Sequence, residues 1–82
     1  MKVIVNISLK DGVLDPEGQA IDNTLKNLGF NNFNNIRTGK QITLNINETD
    51  ENEVLKEADK MCQKLLVNTV IENYHINIIK DK

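Results

Sequence analysis

The amino-acid sequence predicts an α+β domain, a two-layer sandwich with two helices on one face of a mostly antiparallel sheet. Stretches with the period-2 alternation of strands occur near both ends and in the middle of the chain, and two stretches with helical spacing lie between them. The order of strand, helix, one or two strands, helix and strand is that of the ferredoxin-like arrangement. Because 82 residues leave room for one hydrophobic core, we expect a single domain over 1–82.

Three regions alternate between apolar and polar side chains, as strands with one buried face do. In residues 2–10 one face is formed by Val3, Val5, Ile7 and Leu9, and Ile4 is the apolar exception on the other face. Alternation resumes over 42–46, after an Arg-Thr-Gly-Lys segment at 37–40. We interpret that region either as two short strands joined by a turn at Gly39 or as one long strand bent there. A last strand is expected over 70–79, with one face formed by Tyr74, Ile76 and Ile78.

Capping residues indicate where the two helices begin. Asp15 followed by Pro16 predicts a helix start, because aspartate caps the first turn and proline is tolerated at its first position. We expect this helix to end at Gly29 and to bury a stripe of Ile21, Leu25 and Leu28. The second helix is expected to start at Thr49 or Asp50. Its predicted apolar column comprises Val54, Ala58, Met61 and Leu65, with Leu55, Cys62 and Leu66 beside it.

The opposite face of the predicted sheet has no helix to cover it. Most of its side chains are polar, but Ile4 and Ile79 fall on it as well. A domain of this size buries only about 60% of its unfolded surface and commonly needs a disulfide, a metal or a partner subunit. The single cysteine, Cys62, cannot form an intrachain disulfide, and the single histidine, His75, provides no zinc-ligand cluster. We therefore expect a homo-oligomer, with Ile4 and Ile79 as interface candidates.

No residue pattern in the chain indicates catalysis. Cys62 lies in the apolar column of the second helix, so we interpret it as a core residue rather than a nucleophile. The sequence contains no glycine-rich phosphate loop and no metalloprotease motif. We expect no catalytic residue, no metal and no cofactor of its own in this chain.

Charge and hydropathy disfavour two classes of partner. A formal net charge of −2 gives no basic field for nucleic acid or anionic lipid. No apolar run approaches the roughly 20 residues needed to cross a bilayer. The N-terminus lacks the features of a secretion signal, so a cytoplasmic protein is expected.

One basic segment is a candidate binding site. In the segment Arg37-Thr38-Gly39-Lys40, a glycine lies between two cations, a pattern that suits a phosphate or the acidic surface of a partner. The alternative interpretation is a solvated basic turn without a function. Spacing alone does not decide between them.

Three segments together resemble the PurS family. They are KDGVLDPEG at 10–18, IRTGK at 36–40 and MCQKLLVNTVIENY at 61–74, and the likeness extends over nearly the whole chain. Two departures from the family pattern are Glu17, where glutamine is frequent, and His75, where arginine is frequent. The second departure removes a cation.

The resemblance implies the small subunit of the three-part phosphoribosylformylglycinamidine (FGAM) synthase of purine biosynthesis. In that complex a glutaminase subunit frees ammonia from glutamine, and a large synthetase subunit uses ATP and Mg²⁺ to activate the amide that receives the ammonia. The small subunit, as a homodimer or a dimer of dimers, joins the two and has no activity alone. The candidate docking residues are then Arg37, Gly39, Lys40, Asn68, Glu72 and Tyr74. A small-molecule-sensing domain and a purely structural oligomer stay open as alternatives.

Overall fold

The computed structural model describes residues 1–80 and has the predicted order of elements. The elements are strand β1 at Lys2–Leu9, helix α1 at Pro16–Asn27, strand β2 at Gly39–Asn45, helix α2 at Glu51–Met61 and strand β3 at Glu72–Ile79. A π-helical segment at Cys62–Leu66 continues α2. The prediction of a ferredoxin-like α+β arrangement is confirmed.

The sheet has the strand order β2-β1-β3, and both strand pairs are antiparallel. Val5 in the central strand lies opposite Ile42 of β2 and Ile76 of β3. Because side chains alternate along each strand, this register places apolar residues of all three strands on one face. The alternation predicted for the first and last strands is therefore confirmed.

Helix α2 covers part of the apolar face and forms the core with it. The buried apolar residues are Val3, Val5, Ile7, Ile46, Val54, Ala58, Cys62 and Val67. Full burial of a valine-sized side chain stabilises a fold by about 1.5–3 kcal/mol. The hydrophobic core thus lies between β1 and α2, and α1 adds none of its apolar side chains to it.

The predicted helix caps are present in the structure. Asp15 Oδ1 accepts a hydrogen bond from the Gly18 backbone N–H at 2.9 Å, with Pro16 at the first helical position. Gly29, just beyond α1, has a φ of 97°, which lies in the left-handed region that favours glycine. Asp50 caps α2 by accepting from the Asn52 backbone N–H at 2.9 Å.

The predicted buried stripe of α1 is wrong. Ile21 is 40% exposed and Leu28 is 69% exposed, and Gly18 is the buried residue of this helix. The reason is that α1 leaves the end of the sheet instead of lying along it, and it has few contacts with the other elements. The Cα radius of gyration is 16.4 Å, whereas a compact chain of this length has about 12 Å. The single chain is accordingly an extended molecule with principal dimensions of 50 × 31 × 14 Å.

Neither interpretation of the segment before β2 is correct. Residues 28–38 contain no helix or strand, and β2 begins at Gly39 as one straight strand. Asn35 has a φ of 58°, a left-handed conformation that interrupts an extended chain. The backbone N–H of Thr38 bonds to Asp15 instead of a neighbouring strand, so ladder pairing starts one residue later.

The predicted column of α2 is also partly wrong, because Leu65 is 84% exposed. The Val67 N–H bonds to the Cys62 carbonyl at 3.1 Å, five residues back, which is the hydrogen bond of a π-helix. This wider turn directs Cys62 and Val67 into the core and turns Leu65 outward. A regular α-helix would have continued the column from Ala58 through Leu65.

Candidate partner-docking site

The candidate site lies where β1 ends, and its base is organised by Asp15. Asp15 Oδ2 accepts from the Thr38 backbone N–H at 2.6 Å, and the Thr38 hydroxyl donates to the same carboxylate at 2.9 Å. A Cβ added at Gly18 would lie 2.8 Å from both Asp15 Oδ2 and the Ile36 carbonyl oxygen. Glycine is therefore required for α1 to begin this close to the segment that precedes β2.

Each residue of the Arg37–Lys40 segment makes a hydrogen bond, an ion pair or a close backbone contact. The Arg37 guanidinium donates to the Lys10 carbonyl at 3.3 Å, and Lys40 Nζ lies 3.6 Å from Glu72 Oε2. Gly39 allows close strand pairing, because a Cβ there would lie 2.7 Å from the Ile7 carbonyl oxygen. Since the Thr38 N–H already bonds to Asp15, the segment does not present a free cradle of amides. The segment therefore lacks the row of free backbone N–H groups with which a glycine-containing turn typically binds phosphate.

The second candidate segment forms a closed loop before β3. The Asn68 N–H donates to Glu72 Oε1 at 2.8 Å, and the Asn68 carbonyl accepts the Glu72 N–H at 2.8 Å. Tyr74 donates its hydroxyl proton to Asp59 of α2 and accepts from Gln63 at 2.9 Å. The hydrogen bond to Asp59, followed by partial burial, raises the pKa of the Tyr74 hydroxyl. Tyr74 therefore ties β3 to α2.

The structure brings the two candidate segments together at one end of the sheet. The Lys40–Glu72 ion pair joins the residues that flank β1 on its two sides. Lys10 connects them again, since its N–H donates to the Ile71 carbonyl at 2.8 Å while its carbonyl accepts from Arg37. We call this region the docking end, and define it by Lys10, Arg37, Lys40, Asn68 and Glu72. Tyr74 points away from it toward α2.

The two predicted interface residues lie on the open face of the sheet. Ile79 is opposite Lys2 and Ile4 is opposite Asn77, so the two isoleucines are diagonal neighbours. Ile79 is 47% exposed and Ile4 is half-buried. The rest of this face is polar, with Gln41 donating to Asn6 at 2.9 Å.

In the described part of the chain, Cys62 and His75, the side chains considered for catalysis, lie far apart: one is buried in the core and the other is on the opposite face of the sheet. Cys62 is fully buried, and burial raises the pKa of its thiol, which confirms its interpretation as a core residue. His75 lies on the opposite face of the sheet and bonds to Asn77 at 3.1 Å. Among residues 1–80 no group of three or more His, Cys, Asp or Glu side chains is arranged to hold a metal ion. No helix in this range is long and apolar enough to span a membrane.

Sequence patterns missed two features of this surface. The long-range role of Asp15 was missed because its cap explains it locally, although Thr38 lies 23 positions away. An apolar groove between β2 and α2 was also missed. It is lined by Ile42, Leu44, Met61, Leu65 and Leu66. The pair Leu65-Leu66 was the available signal, because adjacent residues of a helix point in different directions and cannot both face one core.

Together, the incomplete helical layer and the engaged polar groups define a small α+β subunit of the kind that works through contact with other chains. A family model for PurS, with the description phosphoribosylformylglycinamidine (FGAM) synthase, matches residues 2–80. The chain belongs to the PurS family. It is 44% identical over 79 residues to the PurS subunit of this synthase from Methanocaldococcus jannaschii, covering 96% of this chain and 95% of the relative. The Bacillus subtilis PurS subunit is 42% identical over 78 residues, covering 94% and 90%.

Solved structures agree with this assignment. The crystal structure of Methanocaldococcus jannaschii PurS, a subunit of formylglycinamide ribonucleotide amidotransferase, superposes with a TM-score of 0.88 over 99% of this chain and 98% of that one. A chain in the structure of PurLQS from Thermotoga maritima superposes with a TM-score of 0.86 at 27% identity, covering 95% of both chains. The fold is therefore shared with a chain seen in a multi-subunit complex.

Proposed function

We propose that this chain is the non-catalytic bridging subunit of an FGAM synthase in purine biosynthesis. It joins a glutaminase subunit to an ATP-dependent synthetase subunit and supports the transfer of ammonia between them. The observation that carries the proposal is the full-length similarity to a chain of PurLQS. In this role ATP, Mg²⁺ and glutamine are used by the partner subunits, and the cytoplasm is the compartment in which the complex works.

Two features of the polar side chains support a bridging role: the candidate catalytic side chains lie apart, and the exposed cations are held by internal bonds. Cys62 is buried, and His75 lies on the other face of the sheet, so the two do not form a nucleophile and base. The docking end instead presents exposed cations on a rigid, hydrogen-bonded frame. A frame of this kind suits recognition, because little side-chain and loop entropy is lost on binding.

The proposed assembly state is a homodimer or a dimer of dimers. The extended shape and the exposed apolar side chains of α1 support it, since a lone chain leaves this surface in water. A small-molecule sensor and a purely structural oligomer are less well supported, because the relatives named above are subunits of the synthase.

Reconstitution tests the bridging role. We expect the purified chain to show neither glutaminase nor ATPase activity, and its addition to the two catalytic subunits to raise glutamine-dependent synthesis of FGAM severalfold. Synthesis from free ammonia should change much less, because exogenous ammonia does not need transfer between subunits. The two assays share the same synthetase, so each is the control for the other. Equal insensitivity of both rates to the added chain would contradict the proposal.

A further inference from the structure

The turn before β3 presents an apolar side chain at the docking end. Val70 is 80% exposed, and its neighbour Ile71 is 37% exposed. The N–H of Ile71 donates to the Asn68 carbonyl at 3.1 Å, so Thr69 and Val70 are the central residues of this turn. Because most of its surface stays in water, Val70 adds little to the hydrophobic stability of the single chain.

Hydrogen bonds hold the turn in one conformation. The Asn68 side chain accepts the Val70 N–H at 3.2 Å, and the Asn68 carbonyl accepts the Glu72 N–H at 2.8 Å. The Glu72 carboxylate closes the loop by accepting the Asn68 N–H at 2.8 Å. The Ile71 carbonyl is bound in turn by the Lys10 N–H. The backbone that carries Val70 is thus ordered before a partner binds, which reduces the entropy lost on binding.

The conformation of this turn does not require a valine. Turns favour glycine, proline, asparagine, aspartate and serine, whereas Thr69 and Val70 are both β-branched. The bonds that hold the turn come from the backbone and from the side chains of Asn68 and Glu72. A departure from turn chemistry on a side chain that is 80% exposed is expected at a site of contact with another molecule.

Charge distinguishes the possible partners of this apolar tip. The segments that frame Val70 carry three cations and two carboxylates: Lys10, Arg37 and Lys40 against Asp11 and Glu72. Both oxygens of Glu72 are engaged, one by the Asn68 N–H and one by Lys40, so the charge left for a partner is positive. The apolar groove between β2 and α2 also has more cations than anions at its rim, with Lys60 and Lys64 against Glu57. A second copy therefore offers a rim of the wrong sign.

We propose that Val70 is the apolar anchor of the docking end and enters an apolar pocket with carboxylates at its rim, on a catalytic subunit of the synthase. Val70 fills the pocket, while Arg37 and Lys40 meet the carboxylates. The proposal rests on the proposed bridging function and states the chemistry of the surface that the docking end binds.

Replacing Val70 by Asn separates binding from folding. Asparagine suits a turn, so the thermal midpoint should be unchanged or slightly higher and the oligomeric state should not change. In the complex the amide would lie in an apolar pocket, so the Kd for one catalytic subunit should rise at least about tenfold. Val70→Ile keeps an apolar β-branched side chain and should stay within about threefold of the wild type. Thr69→Asn, in the same exposed turn, is the matched control and should leave the Kd unchanged.

Calorimetric titration with the purified glutaminase and with the purified synthetase identifies the subunit that holds the pocket. Val70→Asn should weaken binding to the same subunit as Arg37→Ala with Lys40→Ala does. Wild-type affinity of Val70→Asn for both subunits, weakening at the other subunit only, or loss of the homo-oligomer instead would overturn the anchor and leave the bridging role standing. A wild-type chain that binds neither subunit would overturn both.

Discussion

At the level of single residues, the Asp15 carboxylate joins the start of α1 to the segment that precedes β2. The hydrogen bond from the Thr38 backbone, followed by that from Gly18, lowers the pKa of this carboxyl. A carboxyl with a lower pKa in the folded than in the unfolded state stabilises the fold above its unfolded pKa. That contribution is lost as pH falls through the folded pKa. The junction between the start of α1 and the segment before β2 should therefore weaken in acid.

Replacing Asp15 by Asn tests this role. We expect a lower thermal midpoint at neutral pH, because an amide cannot accept all the N–H and hydroxyl donors now directed at the carboxylate. The decline of the midpoint below about pH 4 should also become flatter. Circular dichroism at a series of pH values measures both, and Asp11→Asn in an exposed turn is the matched control. An Asp15→Asn variant with the acid dependence of the wild type would exclude the proposed linkage.

The local contacts of Asp15 can be predicted from the sequence, and its long-range contacts cannot. That Asp15 caps a helix is predictable, because Pro16 and the following helical spacing are local signals. Its hydrogen bonds to Thr38 are not predictable, because Thr38 is 23 positions away and nothing in the sequence between the two residues indicates that they come together. The candidate cations were predicted, but their ties to Lys10 and Glu72 depend on strand order.

At the level of elements, the first helix is positioned by a contact at its start. Gly18 is buried, and its backbone lies against the Ile36 carbonyl without room for a side chain. Elsewhere on α1, exposed positions such as Gln19 face no such restriction. The direction of the helix thus depends on one residue more than on the apolar stripe.

A Gly18→Ala variant should reverse the usual effect of this substitution. In an unrestricted helix, alanine is more favourable than glycine by about 0.5–1 kcal/mol. Here the added methyl group would overlap Asp15 and the Ile36 carbonyl, so we expect destabilisation of about 1–3 kcal/mol. Urea unfolding measures the change, with Gln19→Ala expected within about 0.5 kcal/mol of wild type. Stabilisation by Gly18→Ala would show that the contact is not restrictive.

Elements differed in how well their patterns predicted them. Strand alternation predicted β1 and β3 because the period-2 pattern and the burial of one face have the same cause. The stripe of α1 was misassigned because an apolar helical face does not indicate which surface, if any, it packs against in the same chain. Leu65 was misassigned because the sequence carries no signal for the π-helical hydrogen bond between Val67 and Cys62.

At the level of the whole molecule, the docking end and the apolar groove between β2 and α2 are two surfaces of different chemical character. The docking end combines Arg37 and Lys40 with a frame of internal hydrogen bonds. The groove is lined mainly by apolar side chains. Polar surfaces favour specific recognition of other proteins, and apolar ones favour lasting association.

A double variant, Arg37→Ala with Lys40→Ala, tests the docking end. The two side chains are exposed, so folding should change by no more than about 0.5 kcal/mol and oligomeric state should not change. Binding to a catalytic partner should weaken by roughly 2–5 kcal/mol if the pair is desolvated there. Pull-down and glutamine-dependent synthesis should then fall together. Lys56→Ala with Lys80→Ala, which removes two cations that pair with carboxylates elsewhere on the surface, is the control. Equal behaviour of the two double variants would show that Arg37 and Lys40 are ordinary surface charges.

The strand order determines when this chain can fold during its synthesis. β1 is made early, but its two neighbours, β2 and β3, are separated from it by a helix and by most of the chain respectively. Contacts between residues far apart in sequence form slowly, because a long loop must close first. Until Ile76 and Ile78 emerge, Val3 and Val5 have only part of their final cover. The most apolar strand of the sheet, β1, therefore lacks full cover until β3 has been made, and an incompletely paired apolar strand is prone to aggregation in that interval.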